Sequence, residues 1–325
     1  MLTYWMFACQ IVQATDHFHG VAVNYNSCMT ADLVNTIQNN VRAALEEDVG
    51  SGDLTAQLIP ANTLARARVI TREDAVLCGS AWFDACFAAI NADIQIKWHI
   101  HDGDAISASQ TLCEINGPAR ALLTAERPAL NFLQTLSGVA TETRGYVNAI
   151  AGTRAKIFDT RKTLPGLRLA LKYAVKCGCG ENQRIGLYDG ILIKENHIAA
   201  AGGIAPALAA AFVLVKQGHG DTPDSLSPGP SPRRGGEITV QVEVENLAQL
   251  EEALAAGAKL ILLDNFDLTA MRAAVALTAG KAQLEASGGI TLETVRSYAE
   301  TGIDRISIGN LTKSVQALDL SMRFI

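Results

Sequence analysis

The chain has no uninterrupted apolar run of the length a membrane-spanning helix needs, and its start, MLTYWMFACQIVQATDHFHG, lacks the basic n-region of a signal peptide. Residues 1–28 therefore read as an extension outside the fold, with Met29 as a start close to the first persuasive helix. A basic excess is missing too: net charge is −6, which gives no footing to nucleic acid or an anionic membrane as partner. The seven cysteines lack the regular spacing of a disulfide framework, so a reduced, cytoplasmic compartment is expected. Cys177 and Cys179 form a tight pair, but the second pair that a zinc site needs is not evident. Nor does any Ser/His or Cys/His arrangement stand out as a nucleophile with its base.

What is present is an ordinary globular composition, 49% hydrophobic and 18% charged over 325 residues, with apolar mass for a sizeable core. Leu33, Val34, Ile37, Val41 and Leu45 recur at helical spacing, and Thr30 or Asp32 could cap that helix. ARARVITRED, AVLCGS, IQIKWHIHDGD and TLCEINGPA then alternate as strands do, interrupted by one helix-like segment, AWFDACFAAI. Residues 29–145 thus form an N-terminal α+β domain, an open sandwich. It ends in a long helix through ERPALNFLQTLSGVATETRGYVNAIAG, with Thr124 as N-cap, and Arg127 and Pro128 in its first turn.

From residue 146 to 325 the texture changes. The short apolar strands AKIFDT, GILIKE, ITVQVEVE, KLILLDN, AQLEAS and DRISIG alternate with the helices LRLALKYAVKCG, IAPALAAAFVLVKQ, LAQLEEALAAG, LTAMRAAVALTAG and TLETVRSYAETG. This pattern implies a parallel sheet covered by helices, and six units suit an incomplete (β/α) barrel. Several of these helices run into a glycine, which supplies a left-handed cap. Residues 217–237 are rich in Pro, Gly and Ser and read as a flexible insert at the N-terminal face of the barrel, away from the chemistry. The last residues are expected to pack back on the N-terminal domain.

Each barrel strand ends in a polar signature: Asp159-Thr160-Arg161-Lys162, Lys194-Glu195-Asn196-His197, Glu243-Val244-Glu245-Asn246, Asp264-Asn265, Ser287-Gly288-Gly289 and Gly309-Asn310. Six such endings in register describe the rim of an active site. Their signs sort around it. Arg161, Lys162 and Lys194 would hold carboxylates or phosphates, and Arg184 and Arg127 add to them. Glu243 and Asp264 would hold magnesium or face a developing positive charge, and the Gly-rich turns would offer N–H groups to a phosphate. Taken singly, any of these is as readily a surface ion pair or an ordinary turn; the joint pattern favours function. His197 reads as a hydrogen-bonded structural residue, and Cys177-Gly178-Cys179-Gly180 as a helix cap and turn.

At these residues the chain resembles quinolinate phosphoribosyltransferases, from about Asp32 to Ile325 except the insert. DTRKTLPGLRLALKYAVKCGCGENQRIGLYDGILIKENHI is the longest shared segment, and ERPALNFLQTLSGVAT, QVEVEN, LILLDNF, EASGGI and ISIGNLTKS agree in order and spacing. The resemblance implies an N-terminal α/β sandwich joined to an incomplete barrel, in a homodimer whose sites are completed by the partner. It implies quinolinate and phosphoribosyl pyrophosphate as substrates, with Mg²⁺ as cofactor. Arg127 would then reach quinolinate from the neighbouring subunit, and Thr160, Arg161, Lys162, Gln183, Arg184 and Lys194 would line the quinolinate and pyrophosphate side. Lys162 and Lys194 would also serve catalysis, with Glu243 and Asp264 facing the ribose and its metal, directly or indirectly. Ser287, Gly288, Gly289, Ile308, Gly309 and Asn310 would hold the 5′-phosphate.

The chain departs from the family at Gln183, where His is common and which cannot carry charge, and at Cys179, which replaces a common Gly. Other readings are a Schiff-base aldolase using Lys194, a non-catalytic relative, or a family member acting near molybdenum transport.

Overall fold

The computed structural model describes residues 31–217 and 238–325; the extension 1–28 and all but the first residue of the insert 217–237 lie outside the described residues. The chain opens with α1 (Ala31–Val49), whose Leu33, Ile37 and Val41 are buried at the anticipated spacing. A four-stranded antiparallel sheet follows, in the order β12-β1-β5-β3. Its strands are β1 (Leu64–Thr71), β3 (Gln95–Trp98), β5 (Thr111–Pro118) and the chain's last strand, β12 (Leu320–Phe324). β12 pairs antiparallel with β1, placing Met322 opposite Val69. β2 (Ala75–Val76) and β4 (Ala105–Ile106) pair as a two-stranded ribbon, with α2 (Ser80–Ile90) between them in the chain. α2 buries Trp82, Phe83, Cys86 and Phe87.

The long helix departs from the expected start. α3 spans Ala119–Ala149, so Pro118 is the N-cap and Pro128 lies inside the helix. Thr124 is no cap: its hydroxyl donates to Asp53 Oδ2 at 2.9 Å and to the Arg120 carbonyl. A helix-interior proline costs about 3 kcal/mol. The buried face that carries Leu122, Leu130, Leu133 and Leu136 outweighs that, since full burial of each such side chain is worth about 1.5–3 kcal/mol. Arg127 is consequently the ninth residue of α3, out of reach of the helix dipole at the N-terminus. α3 packs on α2 in the first half of the chain and on α4 (Arg168–Cys177) in the second.

The second sheet is parallel, ordered β6-β11-β10-β9-β8-β7, and built from β6 (Lys156–Phe158), β7 (Gly190–Ile193), β8 (Thr239–Val244), β9 (Leu260–Asp264), β10 (Gln283–Ser287) and β11 (Arg305–Ser307). β6 and β7 do not pair, so the barrel stays open at that seam. Glu181 makes a short parallel bridge with Phe158 there. The outer layer holds α4, α6 (Ile204–Gln217), α7 (Leu247–Ala255), α8 (Leu268–Thr278) and α9 (Val295–Ala299). α9 has five residues where a fuller helix was expected, because Thr291 to Thr294 close a hydrogen-bonded turn first. α5 (Glu195–Ala201), not anticipated, begins immediately after β7. α10 (Asn310–Lys313) completes the set.

The left-handed helix ends are divided between glycine and other residues. α5 ends in Gly202 with φ 85°, whereas α8 ends in Ala279 with φ 46°. After α4 it is Cys179, with φ 67°, that turns left-handed. Gly178 and Gly180 lie against α3, where an added Cβ would come within 2.5 Å of the Ala140 carbonyl and 2.7 Å of Thr143 respectively. Among the described residues no single helix is long and apolar enough to cross a membrane.

Candidate active site

In a parallel strand–helix layer the C-terminal strand ends share one mouth, and the polar endings predicted from sequence all lie there. After β6 the chain turns at Thr160, whose hydroxyl accepts the Lys162 N–H at 3.0 Å. The Lys162 side chain is exposed and passes Gly309, where an added Cβ would lie 3.5 Å from Lys162 Cδ and 3.8 Å from Thr160 Oγ1. Ile308 is buried and donates its N–H to the Phe158 carbonyl at 2.9 Å. Asn310 is exposed at the start of α10.

Two guanidinium groups lie within electrostatic reach of each other, Arg161 in the loop after β6 and Arg184 in the loop before β7. The Arg184 guanidinium is lowered in pKa first by burial and then by the charge of Arg161, offset in part by Asp189. Asp189 already accepts the N–H groups of Ile185 and Gly186. Arg184 Nη1 donates to the Gly190 carbonyl at 3.2 Å, while the buried Nε of Arg161 has no hydrogen-bond partner among the described residues. Opposed like charges and an orphaned buried donor call for an anion between them.

Across the mouth, Lys194 Nζ lies 2.6 Å from Glu243 Oε2, with side-chain exposures of 44% and 11%, so the acid is the more enclosed partner. The Lys194 backbone N–H donates to His197 Nδ1 at 3.0 Å, which starts α5 and accounts for His197 structurally. Asp264 accepts from Asn265 Nδ2 at 2.8 Å, and the Asn265 N–H donates to the Ser287 carbonyl. Ser287 stands level with Asp264 in the sheet. At Gly288, φ is 108° and an added Cβ would fall 2.1 Å from Asn265 Oδ1, so only glycine fits. Gly289, φ 58°, continues an open turn of the kind that presents backbone N–H groups.

The structure thus brings Thr160, Lys162 and Gly309 together, sets Arg161 against Arg184, and pairs Lys194 with Glu243. Arg127 is exposed on α3, and among the described residues no hydrogen bond or ion pair joins it to the rim. Gln183 lies at the seam with its amide directed into the barrel, toward Glu285.

Several supporting residues escaped sequence reasoning. Arg168 donates to Thr163 Oγ1, the Ile185 carbonyl and the Arg161 carbonyl, tying the two cationic loops together. One signal for it existed: a cation as the first residue of a helix opposes the helix dipole and needs another reason to be there. Lys172, buried on α4, is paired with Asp159, and Glu285 is buried inside the barrel; neither carried a sequence signal beyond being a charge among apolar residues.

The possible Cys177–Cys179 metal pair is divided by burial, Cys177 inside and Cys179 exposed. Cys177 instead lies near Cys78 and Asp102, where the Arg144 guanidinium already donates to the carbonyls of Cys177 and Gly103.

The quinolinate phosphoribosyl transferase N-terminal domain model matches residues 53–137, and the C-terminal domain model of the same family matches 139–219 and 233–323. A probable nicotinate-nucleotide pyrophosphorylase [carboxylating] of Bacillus subtilis is 42% identical over 276 residues, covering 85% of this chain and 89% of its own length. The nicotinate-nucleotide pyrophosphorylase [carboxylating] of Mycobacterium leprae is 39% identical, with 88% and 96% covered. Among solved structures, the nicotinate-nucleotide pyrophosphorylase of Francisella tularensis superposes with a TM-score of 0.81 at 42% identity, covering 90% of this chain and 96% of that one. The chain belongs to the quinolinate phosphoribosyltransferase family.

Proposed function

We propose that this chain joins quinolinate to phosphoribosyl pyrophosphate, releasing pyrophosphate and carbon dioxide and forming nicotinate mononucleotide, a step of NAD biosynthesis. The observation that carries the reading is the Arg161–Arg184 pair with its unpartnered buried Nε. Quinolinate brings two adjacent carboxylates, and guanidinium forks bind carboxylates bidentately. Each such charge-assisted bond contributes about 1.5–3 kcal/mol. Held there, the ring nitrogen is aimed at C1 of the ribose, which supplies the proximity term.

Lys194 and Lys162 neutralise the departing pyrophosphate, and Glu243 or Asp264 stabilises the positive charge that develops on the ribose. The alkylated ring nitrogen is cationic and stabilises the carbanion left on the neighbouring ring carbon when its carboxylate departs as carbon dioxide, and a proton from solvent then completes that carbon. No protein nucleophile is needed. Lys194 is occupied by Glu243 at 2.6 Å, and the reaction has no need of a Schiff base.

Glu243 and Asp264 would also hold magnesium. Two carboxylates at neighbouring strand ends give the hard-oxygen donor set that this ion takes alongside substrate phosphates and water. Bound there, it would supply charge neutralisation to the pyrophosphate. Arg127, exposed and joined by no hydrogen bond or ion pair to its own rim among the described residues, suits a homodimer in which each site borrows this residue from its neighbour. The five described cysteines are all free, which suits the reducing cytoplasm.

Incubation with quinolinate, phosphoribosyl pyrophosphate and magnesium should release carbon dioxide and pyrophosphate in equal amounts. Calorimetric binding of quinolinate without turnover would instead support a non-catalytic relative.

A further inference from the structure

Gln183 is held at each of its polar groups. Its N–H donates to Asp159 Oδ1 at 2.7 Å, and its carbonyl accepts from Lys172 Nζ at 2.9 Å. The side-chain Nε2 lies 2.6 and 2.8 Å from the two carboxylate oxygens of Glu285, and 3.2 Å from Gln241 Oε1. Its Oε1 accepts the Arg184 N–H at 3.3 Å. An amide nitrogen has two hydrogens, and both are committed inward, so Gln183 has no donor left for a ligand in the mouth.

Glu285 sits at the centre of this arrangement. It is fully buried on β10 and also receives Gln241 Nε2 at 3.0 Å and the Ser307 hydroxyl. Arg305 Nε lies 2.9 Å from its Oε2, which supplies the counter-charge a buried carboxylate needs. Gln241 is on β8 and Ser307 on β11. The carboxylate therefore gathers three strands of the open barrel and the loop at its unpaired seam. The residue after Gln183 is Arg184, which crosses that seam to the Gly190 carbonyl at the start of β7.

We propose that Glu285 is a positioning residue for quinolinate, acting through Gln183 to fix where Arg184 meets the substrate carboxylate. This rests on the function proposed above. Gln183 is then a strut of the site, and it performs this role without titrating, because an amide donates equally across the physiological pH range.

The test is a reciprocal exchange of donor and acceptor, with KM for each substrate, kcat and calorimetric quinolinate affinity measured for every variant. Gln183→Glu opposes two carboxylates, and Glu285→Gln leaves a single acceptor oxygen for the donors of Gln183, Gln241 and Ser307. Each should raise the quinolinate KM about tenfold or more, the scale of one lost buried hydrogen bond. The double variant restores a donor facing an acceptor and should return the quinolinate KM to within about threefold of wild type by the same scale. Throughout, the phosphoribosyl pyrophosphate KM should change far less. Gln183→Met, which leaves Glu285 its other three partners, keeps the test decisive should a charge variant fail to fold, and it too should weaken quinolinate selectively. A double variant no better than the worse single variant, or a Gln183→Met protein with wild-type quinolinate KM, would overturn the inference. Wild-type protein that binds no quinolinate would instead sink the functional reading on which it rests.

Discussion

Lys172 Nζ lies 2.6 Å from Asp159 Oδ1, with both side chains almost wholly out of solvent. Burial pushes Asp159 up to about 6 and Lys172 down, and each partner's charge pulls the other back toward its ionised form. The pair joins α4 to the end of β6 and fixes the backbone of Gln183 from both sides. Removing one partner strands a buried charge, so Lys172→Met should cost about 3–5 kcal/mol of stability. Lys172→Met with Asp159→Asn should recover part of that. Urea unfolding checks both, and a single variant within about 1 kcal/mol of wild type would contradict the buried pairing.

Asp84 supplies a pH test. Burial pushes its carboxyl up to about 6, although it accepts from Trp98 Nε1 at 2.9 Å. A carboxyl raised on folding holds its proton more tightly in the native state. Its contribution is therefore fully present below pH about 4 and lost as pH rises through about 6. Asp84→Asn keeps an oxygen for Trp98 and removes the charge. The variant should be more stable than wild type at pH 8, by on the order of 1 kcal/mol, and the gain should disappear near pH 4. Thermal melts across that range would show it.

Cys179 carries a left-handed backbone, φ 67°, without being glycine. Such a residue costs about 1–2 kcal/mol, while glycine costs about 0.4–1 kcal/mol through the unfolded chain. Cys179→Gly should therefore stabilise the protein by about 0.5–1 kcal/mol. A lower melting temperature would mean that the thiol makes a compensating contact.

Arg127 separates a shared site from a self-contained one. Mixing Arg127→Ala protein with a Glu243→Ala protein should restore activity toward about a quarter of wild type, the share expected if subunits exchange randomly and one intact composite site forms per mixed dimer. Activity no greater than the sum of the two inactive parents would place Arg127 outside the partner's site.

Much of the barrel was legible because its strands are near-continuous apolar runs and its helices carry one apolar stripe. Ile261, Leu262 and Leu263 are all buried, as a strand covered on both faces requires. The polar strand endings were legible for the same reason, since alternation fixes where each strand stops. The start of α3 was misread because Pro128 looks like a first-turn proline, and sequence alone does not show how much surface Leu122 and Ala125 bury around it. α5 was hidden because a seven-residue helix has too few turns to show a period. The Glu285 assembly was unreadable for another reason: Gln183, Gln241, Glu285 and Ser307 are far apart in the chain, and only the closing of the sheet brings them together.

The central claim, a site built for two adjacent carboxylates, is tested most directly by substrate discrimination. Nicotinic acid lacks the second carboxylate and would leave the half-buried Arg161–Arg184 pair, with the enclosed Arg161 Nε, short of a counter-charge, at a cost of about 3–5 kcal/mol. With phosphoribosyl pyrophosphate and magnesium held constant, kcat/KM for quinolinate should exceed that for nicotinic acid by about a hundredfold or more. Comparable values for the two acids would contradict the account.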